Sequence, residues 1–268
     1  MIYQCPLCQS ALHLSNNDKQ LICNKNHSFD RAKQGYFNLL PVQNKKSKQP
    51  GDSKEMIAAR EAFLAGNYYQ QLASALESLV NSLVTEKACI LDIGCGEGYY
   101  SRVISENNGW QHFGFDISKP AVMKAAKKDT AGEYAVASSE AMPFSNECLD
   151  VAFKVYAPVN DAELLRVLKN GGHFINVTPA PRHLWQLREF IYQEVRPHQT
   201  QDTRFTGLER VNSEHLTYKI TPTADDCIRL LDMTPFAWKA TPEIREKIKA
   251  ACPFDIELDF LITLFNKP

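Results

Sequence analysis

Leu91-Asp92-Ile93-Gly94-Cys95-Gly96-Glu97-Gly98-Tyr99-Tyr100 is an apolar strand end that runs into three glycines at alternate positions. Glycines this close together let backbone pass beside a ligand, because no Cβ stands in the way. A dinucleotide pyrophosphate needs G-x-G-x-x-G, with the third glycine on the first turn of the helix that receives it. Here the order is G-x-G-x-G with Asp92 two residues ahead of it, and a carboxylate is the wrong charge for phosphate. It suits a nucleotide cofactor with a cationic end. S-adenosylmethionine carries an ammonium and a sulfonium, which Asp92 or Glu97 would serve directly or through water. About twenty residues on, Gln111-His112-Phe113-Gly114-Phe115-Asp116 is a second apolar run closing on an acid, the position that meets ribose hydroxyls in a doubly wound sheet. Taken alone, Asp116 also reads as a helix N-cap ahead of Ile117-Ser118-Lys119-Pro120.

Outward from this turn, strands alternate with helices. Ala88 to Ile93, His112 to Asp116, Tyr134 to Ala137, Cys148 to Val155 and Phe174 to Thr178 read as strands. Tyr99 to Glu106, Pro120 to Lys128 and Asp161 to Leu168 read as helices between them, the last stopping at Asn170-Gly171-Gly172. That alternation implies parallel pairing with right-handed crossovers. Upstream, Asp52-Ser53 opens a helix carrying Met56, Ala59 and Phe63, and a second helix runs through Leu72, Leu76, Leu79 and Leu83. Beyond Thr178 the rhythm breaks at Pro179-Ala180-Pro181-Arg182-His183, followed by a helix from Leu184 to Glu194 and a strand from Leu208 to Ile220. A helix from Ala224 to Asp232 and a terminal strand from Phe254 to Phe265 complete the pattern. The two late strands close the parallel core into a seven-stranded mixed sheet of the α/β class.

A chain of 268 residues is long enough for one large α/β domain plus a small module. Its net charge of -1 supplies no global field for a polyanion. Locally, however, Arg31, Lys33, Lys45, Lys46, Lys48 and Lys54 gather with few acids between them, which reads as a solvated linker or a basic contact surface. Without a membrane-length apolar run or a signal-peptide pattern, the expected location is cytoplasmic. Eight cysteines in a reducing compartment point to metal rather than disulfides. Cys5 and Cys8 flank Pro6-Leu7, and Cys23 and His27 flank Asn24-Lys25-Asn26, two chelating turns with the spacing of a tetrahedral zinc site. Four protein ligands leave no open position, so the ion is structural and supplies folding energy to a module too small to hold itself together. Cys89, Cys95, Cys148, Cys227 and Cys252 are scattered small residues, and His13 has the wrong spacing. The chain therefore divides into a zinc module at 1–40, a basic linker at 41–53 and a cofactor domain at 54–268, with 181–235 as a substrate-side insertion.

The strand, D-x-G-x-G-x-G turn and acidic second strand end are similar to a class I S-adenosylmethionine-dependent methyltransferase, a Rossmann-like fold. So are Ala137-Ser138-Ser139-Glu140-Ala141-Met142-Pro143-Phe144 and Leu168-Lys169-Asn170-Gly171-Gly172. With the cysteine turns in front, the chain resembles the bacterial RlmA family of 23S ribosomal RNA guanine-N1 methyltransferases. Gly35-Tyr36-Phe37-Asn38-Leu39-Leu40, Pro50-Gly51-Asp52-Ser53, Tyr156-Ala157-Pro158, Pro181-Arg182-His183-Leu184 and Met233-Thr234-Pro235-Phe236-Ala237-Trp238 extend the match over nearly the whole chain.

The resemblance implies zinc on Cys5, Cys8, Cys23 and His27, and S-adenosylmethionine around Gly94, Gly96, Glu97, Gly98, Tyr99 and Asp116, beside the Asp92 that its charge and position single out. Tyr69 and His183, closing over the cofactor, come from the family pattern alone. It also implies a 23S ribosomal RNA hairpin as partner, a zinc module that recognises RNA with Lys45, Lys46 and Lys48 behind it, and a homodimer with an RNA cleft. Asn170 stands where many members carry proline, a tolerable change at a turn. Guanine N1 is protonated and lies on the Watson–Crick edge, so the base must be unpaired and relieved of that proton. Asp161, Glu163 and His183 are candidate acceptors, although Asp161 equally reads as a helix cap and Glu163 as a surface residue. Tyr156 and Trp238 read as base-stacking platforms or as core. Two rival readings stand beside this one: a small-molecule methyltransferase with a zinc module for stability, and a catalytically silent RNA-binding protein. The intact acids and glycines argue against the second.

Overall fold

The computed structural model describes residues 2–44, 50–85, 87–106, 109–199 and 203–268, so Lys45, Lys46 and Lys48 lie outside the described residues. At the N-terminus, β1 (Leu12–Leu14), β2 (Gln20–Cys23) and β3 (Ser28–Asp30) form an antiparallel sheet. The chain then enters β4 (Phe37–Asn38). Helix α1 (Lys54–Leu64) starts where the Ser53 hydroxyl accepts the Met56 N–H at 3.2 Å, the cap expected from Asp52-Ser53. Helix α2 (Gln70–Leu83) buries Leu72, Leu76 and Val80.

The doubly wound region follows as β5 (Cys89–Ile93), α3 (Tyr99–Ser105), β6 (Gln111–Asp116), α4 (Lys119–Lys128), β7 (Glu133–Val136), β8 (Leu149–Val155), α5 (Asp161–Val167) and β9 (Leu168–Pro179). Helix α6 (Trp185–Glu189), strand β10 (Glu209–Ile220), helices α7 (Ala224–Asp232) and α8 (Pro242–Ala251) and strand β11 (Ile256–Asn266) complete the chain. The large sheet has the order β10-β11-β9-β8-β5-β6-β7-β4. β11 runs antiparallel to both neighbours and the other pairings are parallel, which lines the C-terminal ends of β5, β6, β8 and β9 along one edge. Ligands of open α/β sheets bind outside that edge.

Four features differ from the sequence reading. The sheet has eight strands, because β4 leaves the N-terminal module and pairs with β7 through Phe37↔Ala135 and Asn38↔Val136. β9 begins at Leu168: Asn170-Gly171-Gly172 is an irregularity inside the strand, with Gly171 at φ +77 and the register to β8 shifting between Leu149 and Val151. α6 is short, its end closing as the Arg188 carbonyl takes both the Ile191 and Tyr192 N–H groups. As the sequence implied, Glu209–Ile220 joins the sheet as a late strand, paired with β11 from Glu209↔Asn266 to Ile220↔Ile256. Helix α8 is absent from the sequence pattern although its start carries a signal, Thr241 capping the Ile244 N–H with Pro242 behind it.

The N-terminal module is joined to the main core by Tyr3. Its fully buried ring lies 5.2 Å from that of Phe144 and 5.9 Å from that of Phe113. On either side, Gln4 N–H donates to the Pro143 carbonyl and Ser145 N–H to the Ile2 carbonyl. Arg166 of α5 donates to the Met142 and Phe144 carbonyls and to Gln4 Oε1. The Tyr3 hydroxyl, by contrast, is buried without a hydrogen-bond partner. Truncation and hydroxyl removal should therefore act in opposite directions. Tyr3→Ala should destabilise by about 3–5 kcal/mol through the cavity it leaves, whereas Tyr3→Phe should leave the melting temperature unchanged or raise it, since an unpaired buried hydroxyl costs roughly 1–3 kcal/mol. Denaturant melts of the two variants check this.

Candidate cofactor site and metal centre

At the end of β5, Gly94, Gly96 and Gly98 take φ of +71, +57 and +79, all in the left-handed region that favours glycine. A Cβ on Gly94 would lie 2.4 Å from the Cβ of Ala157, in the loop after β8, so the two strand ends approach too closely for a side chain. Gly98 is the N-cap of α3, whose first N–H groups face the turn. Asp116, at the end of β6, accepts the Gly96 N–H at 3.0 Å on one oxygen and the Ser118 N–H at 2.7 Å on the other. It therefore does local turn work and also pins the glycine turn of the neighbouring strand. Burial raises its pKa above the usual carboxylate range.

Asp92 is buried beneath the turn, accepting the Ser101 hydroxyl at 2.6 Å. Burial, reinforced by the Asp116 charge and opposed by the Ser101 bond, pushes its pKa up to about 7. A cationic ligand end would draw this carboxylate back to its charged form. Glu97 behaves differently from the sequence expectation. Its buried carboxylate pairs with Lys128 at 2.6 Å and Arg102 at 3.4 Å, so its charge is committed within the protein and only its backbone belongs to the turn. The Tyr99 hydroxyl donates to Gln70 Oε1 at 3.4 Å, tying α3 to the start of α2.

Tyr69 and His183, which no local pattern singled out, meet on one ring. Tyr69 is buried edge-on to Phe260 at 5.4 Å, and His183 lies 4.9 Å from the same ring. His183 Nδ1 accepts the Asp259 N–H at 3.2 Å, which leaves Nε2 as the protonated nitrogen facing the Tyr156 hydroxyl at 3.2 Å. Burial, with His198 adding, holds the imidazole pKa down at about 3. His183 is thus neutral with both nitrogens engaged, an orienting group rather than a base. The other two candidate acceptors are also occupied. Glu163 accepts the Met142 N–H at 2.6 Å and pairs with Arg166, while Asp161 accepts the Thr206 N–H at 3.2 Å, the cap of α5 being Asn160.

Both aromatic candidates are at the surface. Tyr156 is 42% exposed at a strained φ of +60, and Trp238 is 79% exposed beside Lys239, whose ammonium lies 5.3 Å from its ring centroid. Core packing is thereby removed as the reading of Trp238. Two residues escaped the sequence reading. Arg60 of α1 reaches the glycine turn, its Nη1 lying 3.6 Å from where a Gly96 Cβ would stand. Lys154 is buried in β8 opposite Asn176, whose Oδ1 is buried without a partner, and burial alone pushes the amine down to about 8. A lysine inside Val151-Ala152-Phe153-Lys154-Val155 was a legible anomaly. Nothing local marked Arg60.

At the N-terminus, ligand atoms of Cys5, Cys8, Cys23 and His27 all lie within 4.8 Å of one another. Cys5 Sγ is 3.6 Å and Cys23 Sγ 3.5 Å from His27 Nδ1, and Cys8 Sγ is 3.6 Å from Cys23 Sγ. Those separations match the edges of a tetrahedron whose arms are about 2.0–2.3 Å, so the donor set fits zinc. Gln9 and Asn26, at φ +61 and +62, turn the two chelating loops back on themselves. The other site fits S-adenosylmethionine by its own features: glycines where a Cβ would collide, an acid at the second strand end and buried Asp92 beneath the turn.

A family model described as RlmA, N-terminal, a zinc ribbon, matches residues 3–48, and one described as methyltransferase domain matches residues 90–172. The 23S rRNA (guanine(748)-N(1))-methyltransferase of Streptomyces fradiae is 31% identical over 268 residues, covering 97% of this chain and 94% of that protein. The chain belongs to the 23S rRNA (guanine-N1)-methyltransferase family. YxjB of Bacillus subtilis (strain 168) is 30% identical to this rRNA methyltransferase over 99% of the chain and 97% of its own length. Among solved structures, Haemonchus contortus phosphoethanolamine N-methyltransferase 2 shares the fold, with a TM-score of 0.51 at 17% identity over 81% of this chain and 58% of that one. Among the described residues of the rRNA methyltransferase, no helix is long and apolar enough to cross a membrane. The Gly94–Ala157 approach yields a direct check. Gly94→Ala should weaken S-adenosylhomocysteine binding at least about tenfold, through a strained φ and the lost approach, and Ala157→Gly added to it should recover part of the loss in calorimetry.

Proposed function

We propose that this methyltransferase transfers the methyl group of S-adenosylmethionine to N1 of an unpaired guanine in a hairpin of 23S ribosomal RNA. The observation that carries this reading is the near full-length likeness to the Streptomyces fradiae enzyme, in a chain that joins the zinc ribbon to the glycine turn. When bound, S-adenosylmethionine supplies a sulfonium-activated methyl group, which N1 takes as the carbon–sulfur bond breaks and a thioether leaves. The turn at Gly94–Gly98 receives the methionine end, Asp92 faces its positive charge and Asp116 meets the ribose. Tyr69 and His183 close the pocket, with His183 also holding the Tyr156 hydroxyl. Tyr156 then offers a ring to the extruded base, and such stacking contributes about 1–3 kcal/mol. The N1 proton leaves to a general base as the methyl group arrives. The zinc module positions the hairpin through phosphate contacts, and a homodimer completes the RNA cleft.

The test uses purified protein, labelled S-adenosylmethionine and 23S ribosomal RNA that lacks the modification. A reverse-transcription stop at one hairpin guanine is the expected result; no transfer, with cofactor binding demonstrated, would sink the reading.

A further inference from the structure

We infer that Arg60 anchors the carboxylate of the methionine moiety of S-adenosylmethionine, and that Asp52 positions it. The inference rests on the cofactor reading and is independent of the RNA target. Arg60 lies on α1, outside the strand–turn–helix unit that carries the motif, yet its guanidinium borders Gly96 in the middle of the turn. Its charge acts on Asp116, Tyr69 and Tyr100, which places it among the groups that surround the pocket.

Charge accounting gives Arg60 its partner. The methionine moiety carries an ammonium, a sulfonium and a carboxylate. Asp92 serves its positive side, but the carboxylate needs a donor of opposite charge. Lys128 and Arg102 close on Glu97, and Lys124 pairs with Glu61, so those cations are already committed. Arg60 engages Asp52 through Nη1 at 2.6 Å. A guanidinium has five N–H donors in a fixed fork, so one carboxylate leaves donors for a second.

Asp52 is held by the same strand end that carries Asp116. Its carbonyl accepts the Ser118 hydroxyl at 2.9 Å, and the Ser118 N–H is the one bound by Asp116. Behind it, a Cβ on Gly51 would come within 2.9 Å of Ile117 and Ser118, so Pro50-Gly51-Asp52-Ser53 lies flat against the end of β6. Arg60 is thereby registered to the acid at the ribose position. The pair is partly exposed, with side chains 25% and 33% accessible, so it contributes little to stability.

Titration calorimetry on the 268-residue chain with two ligands tests this. S-adenosylhomocysteine has the carboxylate; 5′-methylthioadenosine lacks the amino-acid moiety altogether. Arg60→Met should weaken the first by about 10- to 100-fold, the worth of a charge-assisted hydrogen bond, and leave the second unchanged, with Arg60→Lys recovering part of the loss. Asp52→Asn should cost S-adenosylhomocysteine a smaller factor. Equal losses for both ligands, or no loss for S-adenosylhomocysteine, would overturn the anchor. A gain of affinity in Asp52→Asn would make Asp52 a competitor and overturn its positioning role. Wild-type protein that binds neither ligand would instead refute the cofactor reading itself.

Discussion

The carboxylate of Asp116 holds together what the rest of the site depends on. The three left-handed glycines of the turn have no side chains to fix them, and Asp116 supplies a constraint in the middle of the turn by taking the Gly96 N–H across the strand boundary. Its second oxygen holds Ser118, and Ser118 holds Asp52. One buried acid therefore registers the glycine turn, the start of α4 and the segment leading into α1. Burial makes this bond strong and makes any unpaired state of the acid costly.

The parallel core was legible because each strand is an apolar run ended by a turn signal, and α7 has the bounds that its pattern implied. The segment of β4 reads as a strand-like aromatic piece closed by Pro41, but its place in the large sheet was illegible: two residues carry no periodicity, and Phe37 finds its partner only because β7 offers a parallel edge. The glycine and acid positions could be read from spacing, while the true orientation of Glu97 could not, since Lys128 lies a whole strand and helix away. Tyr69 and His183 converge on Phe260 from segments far apart in the chain, a coincidence of topology that no window along the chain records. The candidate proton acceptors stayed open in the sequence for one cause. Each was judged by residue type, whereas the partners that occupy them, Asp259, Met142 and Thr206, are set by tertiary contacts.

Zinc modules are often pictured as separate beads, but here the metal ligands and the cofactor domain share buried surface. Cys5 and Cys23 belong to the same apolar cluster as Tyr3, Phe113 and Phe144, beneath strands β5 and β6. A module of this size gains from that sharing, because a small core standing alone buries too little to offset the entropy of ordering its loops. Metal binding and folding of the cofactor domain are then two parts of one equilibrium.

The pairing of β4 with β7 has a further meaning for the life of the protein in a crowded solution. An unpaired parallel strand at the border of a sheet is a template on which another chain can add. β7 would be that border without Phe37 and Asn38, which reach it from a segment tethered by the metal ligands. The ion thus acts as a guard on a sheet edge: its loss would loosen the tether, uncover β7 and turn a folded chain into a seed for intermolecular strand pairing.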